Sequence, residues 1–338
     1  MKFKILNNCY YYLKNPSLNK TSDKNLFKKE RIKKLKSAFI FKKKKICISK
    51  FGVPLANNRE IVFDYLKFNS LSRFIFLKKI ILLINFYMNF FKLYFKKKKI
   101  IQNAIIIHDR HSSNFYHWVT DVLPKLYFLK KKKFLKDNTI LMPKFKTSFQ
   151  KDSLSLFTQN YKIINNDLVV NNFTYLSEFH HSGSPRPKYI IRLKHYILRK
   201  INDKSKTSKY FYISRKFSKY RKIKNENQLI KFLKTKNFKI IYAEKINFKK
   251  QVSIFKNAKF IISSHGAGLT NLIWMKKKTK ILEIRSFNIH QNSNFTLSKI
   301  FNINYFYFFA KQNSFNSNAD YLLDMRAFKI YFNKILNF

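Results

Sequence analysis

"KFIISSHGAGLTNLIWM", residues 259–275, holds Gly266 and Gly268, two of the chain's four glycines, within three positions. The β-branched and apolar run "KFIISS" reads as a buried strand, and "GAGLTNLIWM" as the start of a helix. A strand that passes through a glycine turn into a helix is one step of a parallel α/β sheet. The same alternation extends on both sides. Upstream lie a strand at "KYFYIS" (209–214), a helix in "ENQLIKFLKTKNF" with Leu229, Phe232 and Leu233 on one face, a strand at "KIIYAE", and a helix in "NFKKQVSIFKNA". In that last helix Phe248, Val252 and Phe255 fall at i, i+4 and i+7 behind Asn247, a suitable N-cap. Downstream lie a strand at "KILEI", a helix at "NSNFTLSKIF" and a strand at "NYFYFF". The pattern predicts a Rossmann-like domain over 206–338.

Before it the alternation is less regular. "AIIIHD" (104–109), "TILMP" (139–143) and "DLVVNNFTYL" (167–176) read as strands. "NFYHWVTDVLPKLYFLKK" (114–131), interrupted by Pro124, and "RPKYIIRLKHYILRKI" (186–201) read as helices. The Lys-rich "NDKSKTSK" (202–209) is the expected linker, giving an N-terminal α/β domain over 1–205. Residues 1–70 alternate short apolar runs with Lys-rich turns and take no definite place.

The chain of 338 residues has 71 Lys and Arg against 16 Asp and Glu, a formal charge of +55. Charge alone points to a polyanion, so a basic nucleic-acid-binding protein is the alternative function; that requires basic residues gathered on one face among aromatics. Only eleven of the 71 are Arg, and Lys, Asn, Ile, Phe and Tyr abound while Gly and Trp are scarce. This is the composition of an AT-rich coding sequence, and it reduces the Lys runs at 42–45, 96–99, 130–133 and 276–278 to solvated surface. Cys9 and Cys47 are too few for a disulfide framework or a zinc site. The first residues, "MKFKILNNCYYYLKNP", lack the apolar core and cleavage pattern of a signal peptide, which predicts a cytoplasmic protein. "IILLINFYMNFF" (80–91) is apolar but only twelve residues long, where a span needs about twenty. It reads as a buried helix, or as an interfacial helix whose flanking lysines grip the inner face of an anionic membrane.

The glycines carry a chemical reading as well. At the carboxyl end of a parallel strand, the first N–H groups of the following helix lack intrahelical partners and attract anions. Glycine there lets the backbone approach phosphate oxygens. Gly266 and Gly268 therefore form a candidate close-approach loop for a phosphorylated ligand, with the Thr270 hydroxyl beside it and His265 at its mouth, although tight strand–helix packing alone also explains two glycines. Arg215 in "YISRK", just past another strand, is placed to fork onto a diphosphate. Glu283, inside the strand "KILEI", needs a partner if buried: a ribose hydroxyl or Arg285. In "NFYHWVTDVLP", His117 and Asp121 stand four apart, on one helical face, and can form a carboxylate-braced general base or a structural contact. The His residues at 108, 111, 180 and 181 lack acidic support for a metal site. The turn is neither G-x-G-x-x-G nor G-x-x-x-x-G-K-[ST], which disfavours an NAD oxidoreductase or an ATPase.

Together "NFYHWVTDVLPKL", "YISR" and "NFKKQVSIFKNAKFIISSHGAGLTNLIWMKKKTKILEI" resemble glycosyltransferase family 61, over roughly residues 104–310. The resemblance implies a GT-B architecture, two Rossmann-like domains facing across a cleft. It implies inverting transfer of a hexosyl or pentosyl group from a nucleotide sugar, with no cofactor and no obligatory metal, to a glycan or lipid-linked glycan, as in capsular polysaccharide synthesis. Donor contacts would fall to Arg215, Ser264, His265, Gly266, Ala267, Gly268, Thr270 and Glu283. His117 and Asp121 would lie on the acceptor side, Asp121 accepting the acceptor's proton through His117. Two departures stand out: the stretch after "ISR" is Lys-rich where relatives often carry a second Arg, and the first hundred residues match nothing in the family.

Overall fold

A computed structural model describes residues 1–14, 26–50, 52–55, 61, 99–179, 183–201 and 208–337. The apolar stretch 80–91, His180, His181 and most of the expected linker fall outside the described residues. In chain order the elements are β1 (Lys2–Leu6), β2 (Cys9–Tyr12), β3 (Ile32–Leu35), β4 (Ala38–Ile48), β5 (Pro54–Leu55) and β6 (Lys99–Ile106). Then come α1 (Phe115–His117), a π-helical turn (Trp118–Val122), α2 (Leu123–Lys131), β7 (Thr139–Met142), α3 (Ser148–Leu154), β8 (Tyr161–Ile163), β9 (Leu168–Leu176) and α4 (Pro187–Lys200). The remainder is β10 (Tyr210–Ile213), α5 (Glu226–Thr235), β11 (Lys239–Ile241), α6 (Phe248–Asn257), β12 (Phe260–Ser264), a 3-10 helix (Ala267–Trp274), β13 (Lys280–Arg285), α7 (Ser293–Ile300), β14 (Asn304–Phe309) and α8 (Met325–Leu336). No helix among the described residues is long and apolar enough to cross a membrane.

The chain forms two compact units. The first comprises Met1–Cys9 and Lys34–Ile190; the second comprises Tyr10–Lys33 and Ile191–Phe338. In the first unit the sheet runs β1-β4-β9-β6-β7-β8, with β5 on β4. Strands β9, β6, β7 and β8 pair in parallel, while β1, β4 and β5 add antiparallel pairs. The sequence marks the parallel half; the long strand β4, interrupted by four lysines, is what the periodicity alone left unplaced.

The second unit holds all five strands expected from the sequence, in one parallel sheet ordered β11-β10-β12-β13-β14. Their apolar, β-branched runs suit strands covered on both faces. Alternation sorts the side chains of β13 and β14 between two layers. Leu282, Ile284 and Phe306 join Leu229, Leu233, Phe328 and Phe332 in an apolar core. Glu283, Arg285 and Tyr305 project into the other layer, where a polar network is sealed from water. Helix α8, unanticipated, follows from "MRAFKIYFNKIL": Phe328, Phe332 and Ile335 recur at i, i+4 and i+7 and are buried.

Candidate active site

Strand order locates the ligand-binding end of the second unit. From β10 the chain moves outward to β11, then crosses back to place β12 on the other side of β10. In such open sheets ligands sit beyond the carboxyl ends of the strands where the winding reverses. Arg215 follows β10 and His265 follows β12, and the two strands end level, Ile213 opposite Ser263. The two sequence features that suggested an anion site thus meet at the switch point.

The loop after β12 is half-buried at Gly266, Ala267 and Gly268 and closed on either side. His265 extends the ladder, its N–H donating to Ile284 O at 2.8 Å. The amides of the next three residues donate to no acceptor among the described residues, because the following 3-10 helix takes its first bonds from later donors. Gly266 is extended (φ 165°), so its backbone needs no glycine. Space does: a Cβ there would overlap Arg215 Nη1 and lie 2.8 Å from Cζ. Gly266 therefore lets the guanidinium lie against the loop. Gly268 is less constrained, a Cβ there meeting only Ile213 Cγ2 at 3.4 Å.

Arg215 is fastened by Nη2 to Ser218 Oγ at 2.7 Å and to Tyr220 O at 3.0 Å. Burial, and then the like charge of Arg221, lower its pKa. Arg221 stands in the sequence among the lysines after "ISR", where composition gives it no distinction. It adopts the left-handed region (φ 61°), sparsely populated for a non-glycine residue. The loop ahead of α8 holds it there: Nε donates to Ser317 O at 3.0 Å and Nη2 to Asn318 Oδ1 at 2.8 Å. A second arginine, six residues after Arg215, thus lies close enough for its charge to act on the first.

Behind the loop, His265 Nδ1 bonds Glu283 Oε1, and the carboxylate also accepts from Asn294 Nδ2 at 2.9 Å and from Tyr305 Oη. Both oxygens of Glu283 are thereby engaged by side chains of its own unit. Arg285 approaches through Tyr305 and donates to Asn292 Oδ1 at 2.8 Å. Burial opposes the charge on Glu283, but His265, Arg285 and Tyr305 outweigh it and hold the pKa down at about 2. Burial lowers the pKa of His265, which favours neutral imidazole donating through Nδ1. Ser264 and Thr270 are buried, and their hydroxyls find no hydrogen-bond partner among the described residues.

In the first unit His117 Nδ1 and Asp121 Oδ2 are 2.9 Å apart, as the spacing of four predicted. The other carboxylate oxygen lies 2.8 Å from Thr120 Oγ1. Thr120 and Asp121 occupy the π-helical turn, with His117 just ahead of it as the last residue of α1, and Leu123 N–H closes the turn by donating to Trp118 O. Pro124 accounts for it: without an N–H it cannot bond the carbonyl of Thr120, and the ladder widens there. Trp118 is fully buried and donates to Ser153 Oγ at 2.7 Å, a core role rather than a platform for a sugar. The His111 ring lies tilted against His117, with centroids 5.2 Å apart. His108 is buried beside Gly52, and burial lowers its pKa to about 4. Among the described residues no three His, Cys, Asp or Glu side chains gather into a metal site.

Residues 115–282, from α1 to the middle of β13, match the family model described as Glycosyltransferase 61. The chain belongs to glycosyltransferase family 61. It is accordingly a glycosyltransferase enzyme, acting between a donor and an acceptor, and both the His117–Asp121 pair and the Gly266–Gly268 loop fall inside the matched region. No curated protein matches the chain.

Proposed function

We propose that this glycosyltransferase moves a hexosyl or pentosyl group from a nucleotide sugar to a glycan or lipid-linked glycan, with inversion, in the synthesis of a surface polysaccharide. One observation carries the proposal: three unbonded amides beside two arginines at the reversal point of a parallel sheet. That combination suits a diphosphate, whose negative charge grows as it departs. Arg215, Arg221 and the amides of Gly266, Ala267 and Gly268 would meet that charge without calling on a metal. Ser264, His265, Thr270 and Glu283 would act from behind, Glu283 fixing the imidazole that borders the loop.

On the acceptor side, Asp121 would hold His117 through Nδ1 and leave Nε2 to take the proton. The acceptor oxygen then bonds the anomeric carbon, the bond to the diphosphate breaks, and its electron pair leaves on the diphosphate. The GT-B arrangement implied by the family, and peripheral work at the inner face of a membrane, complete the proposal.

Thermal-shift titration with UDP-, GDP- and CMP-sugars tests it. The cognate donor should raise the melting temperature of the native chain, by about 2.7 kcal/mol of stability at a hundred times Kd. Arg215→Ala should abolish the shift. Absence of any response, or a response indifferent to Arg215→Ala, refutes the donor site.

A further inference from the structure

The polar layer behind His265 is closed by residues from the far end of the chain. Residues 26–30 belong to the second unit although about 160 residues separate them from its main body. Phe27 is 1% exposed. Its ring packs on Phe295 at 4.7 Å, Tyr307 at 5.3 Å and Tyr305 at 6.0 Å, and the Arg285 guanidinium carbon lies 5.9 Å from its centroid. Two hydrogen bonds fasten the strap to the first turns of α7. Asn292 Nδ2 donates to Leu26 O at 2.9 Å, and Thr296 Oγ1 donates to Glu30 Oε2 at 3.1 Å.

The first of these anchors also serves the site. Asn292 accepts from Arg285, Asn294 in the same turn donates to Glu283, and Tyr305 bonds both Glu283 and Arg285. The strap thus touches Asn292, Tyr305 and Arg285, three members of this relay. A buried ionic network holds its geometry only while water is excluded and each member keeps its partners.

We infer that residues 26–30 are a positioning element of the donor site, with Phe27 sealing the Glu283–Arg285–Tyr305 layer so that Glu283 holds the His265 imidazole in one orientation. The assignment rests on the proposed donor site only for the identity of the ligand; the structural coupling from Phe27 to His265 is separately measurable.

The test is imidazole NMR titration of the full chain labelled at histidine, with nucleoside diphosphate affinity measured alongside. The charged groups facing His265 are Glu283, Arg285 and Arg221. In Phe27→Ala, water entering the layer should raise the His265 midpoint by roughly half a pH unit or more and weaken diphosphate binding severalfold. Thr296→Val, which removes one strap bond and keeps the side-chain shape, should move both in the same direction by less. Phe332→Leu, in the core on the opposite face of the sheet, should lower the melting temperature and leave the His265 midpoint in place. An unchanged midpoint in Phe27→Ala, or in Thr296→Val if the alanine variant does not fold, overturns the inference. If the native chain binds no nucleoside diphosphate, the donor reading fails while the titration still decides the strap.

Discussion

Gly266 illustrates why a residue can be marked in sequence for one reason and used for another. Its rarity in a Lys- and Asn-rich chain drew attention to the loop, and close approach of a ligand was the expected cause. The neighbour that needs the space is Arg215, whose guanidinium occupies the volume a Cβ would fill. Gly266→Ala should therefore fold normally but displace the arginine, lowering nucleoside diphosphate affinity about tenfold, or about 1.4 kcal/mol. Gly268→Ala, with Ile213 Cγ2 at ordinary contact distance, should change affinity little. Calorimetric titration of both variants checks the contrast, and equal losses would remove Arg215 from the explanation. His117 and Asp121 were legible because a spacing of four fixes their meeting locally. Arg221 was not, because its neighbour Arg215 and the loop that pins it at 317–318 come from separate parts of the chain.

Among the elements, every strand of the second unit was legible from buried apolar runs, and α6 down to its cap. Asn247 Oδ1 accepts from Lys250 N–H at 2.8 Å. Asn247→Ala should cost about 1 kcal/mol in urea unfolding, and a change within error would show that solvent satisfies the freed donor equally well. What the sequence concealed was pairing order and local helix type. Nothing in "KFIISS" states that its neighbour is β10 rather than β11, yet that order puts Arg215 beside the glycine loop. "GAGLTNLIWM" forms a 3-10 helix, and "WVTDV" a π-helical turn, where Pro124 has no N–H to keep the α-helical ladder. Propensity sums over a window do not resolve a one-residue change in ladder.

For the whole molecule, the excess of Lys over Asp and Glu leaves few acidic groups to govern its behaviour on acidification, and buried ones dominate. His108 has a folded pKa of about 4 against an ordinary 6.5, so the unfolded chain takes up the proton first and stability falls as pH drops from 6.5 to 4. His265, also lowered by burial, adds a loss of the same sign in the second unit below 6.5. Glu283 has a folded pKa of about 2 against 4.5, so its contribution is complete above 4.5 and disappears between 4.5 and 2. Within its window each group removes up to about 1.4 kcal/mol per pH unit. The two tryptophans, Trp118 in the first unit and Trp274 in the second, are both buried and allow the units to be followed separately. Urea midpoints of the single-tryptophan variants Trp274→Phe and Trp118→Phe should both fall from pH 6.5 to 4. A first-unit midpoint that stays level over that range would mean that His108 is not buried neutral.

The position of Phe27 also sets a timetable. It leaves the ribosome some 260 residues before Arg285 and still earlier than Tyr305, which at ordinary elongation rates is a delay of about 13–50 s. During that interval a large aromatic side chain has no native partner, and the second unit cannot close until translation is almost finished. A fragment beginning at residue 191 would contain all five strands of that sheet and lack the piece that shuts it, so splitting the gene between the units should yield a C-terminal half that needs the N-terminal peptide supplied in trans.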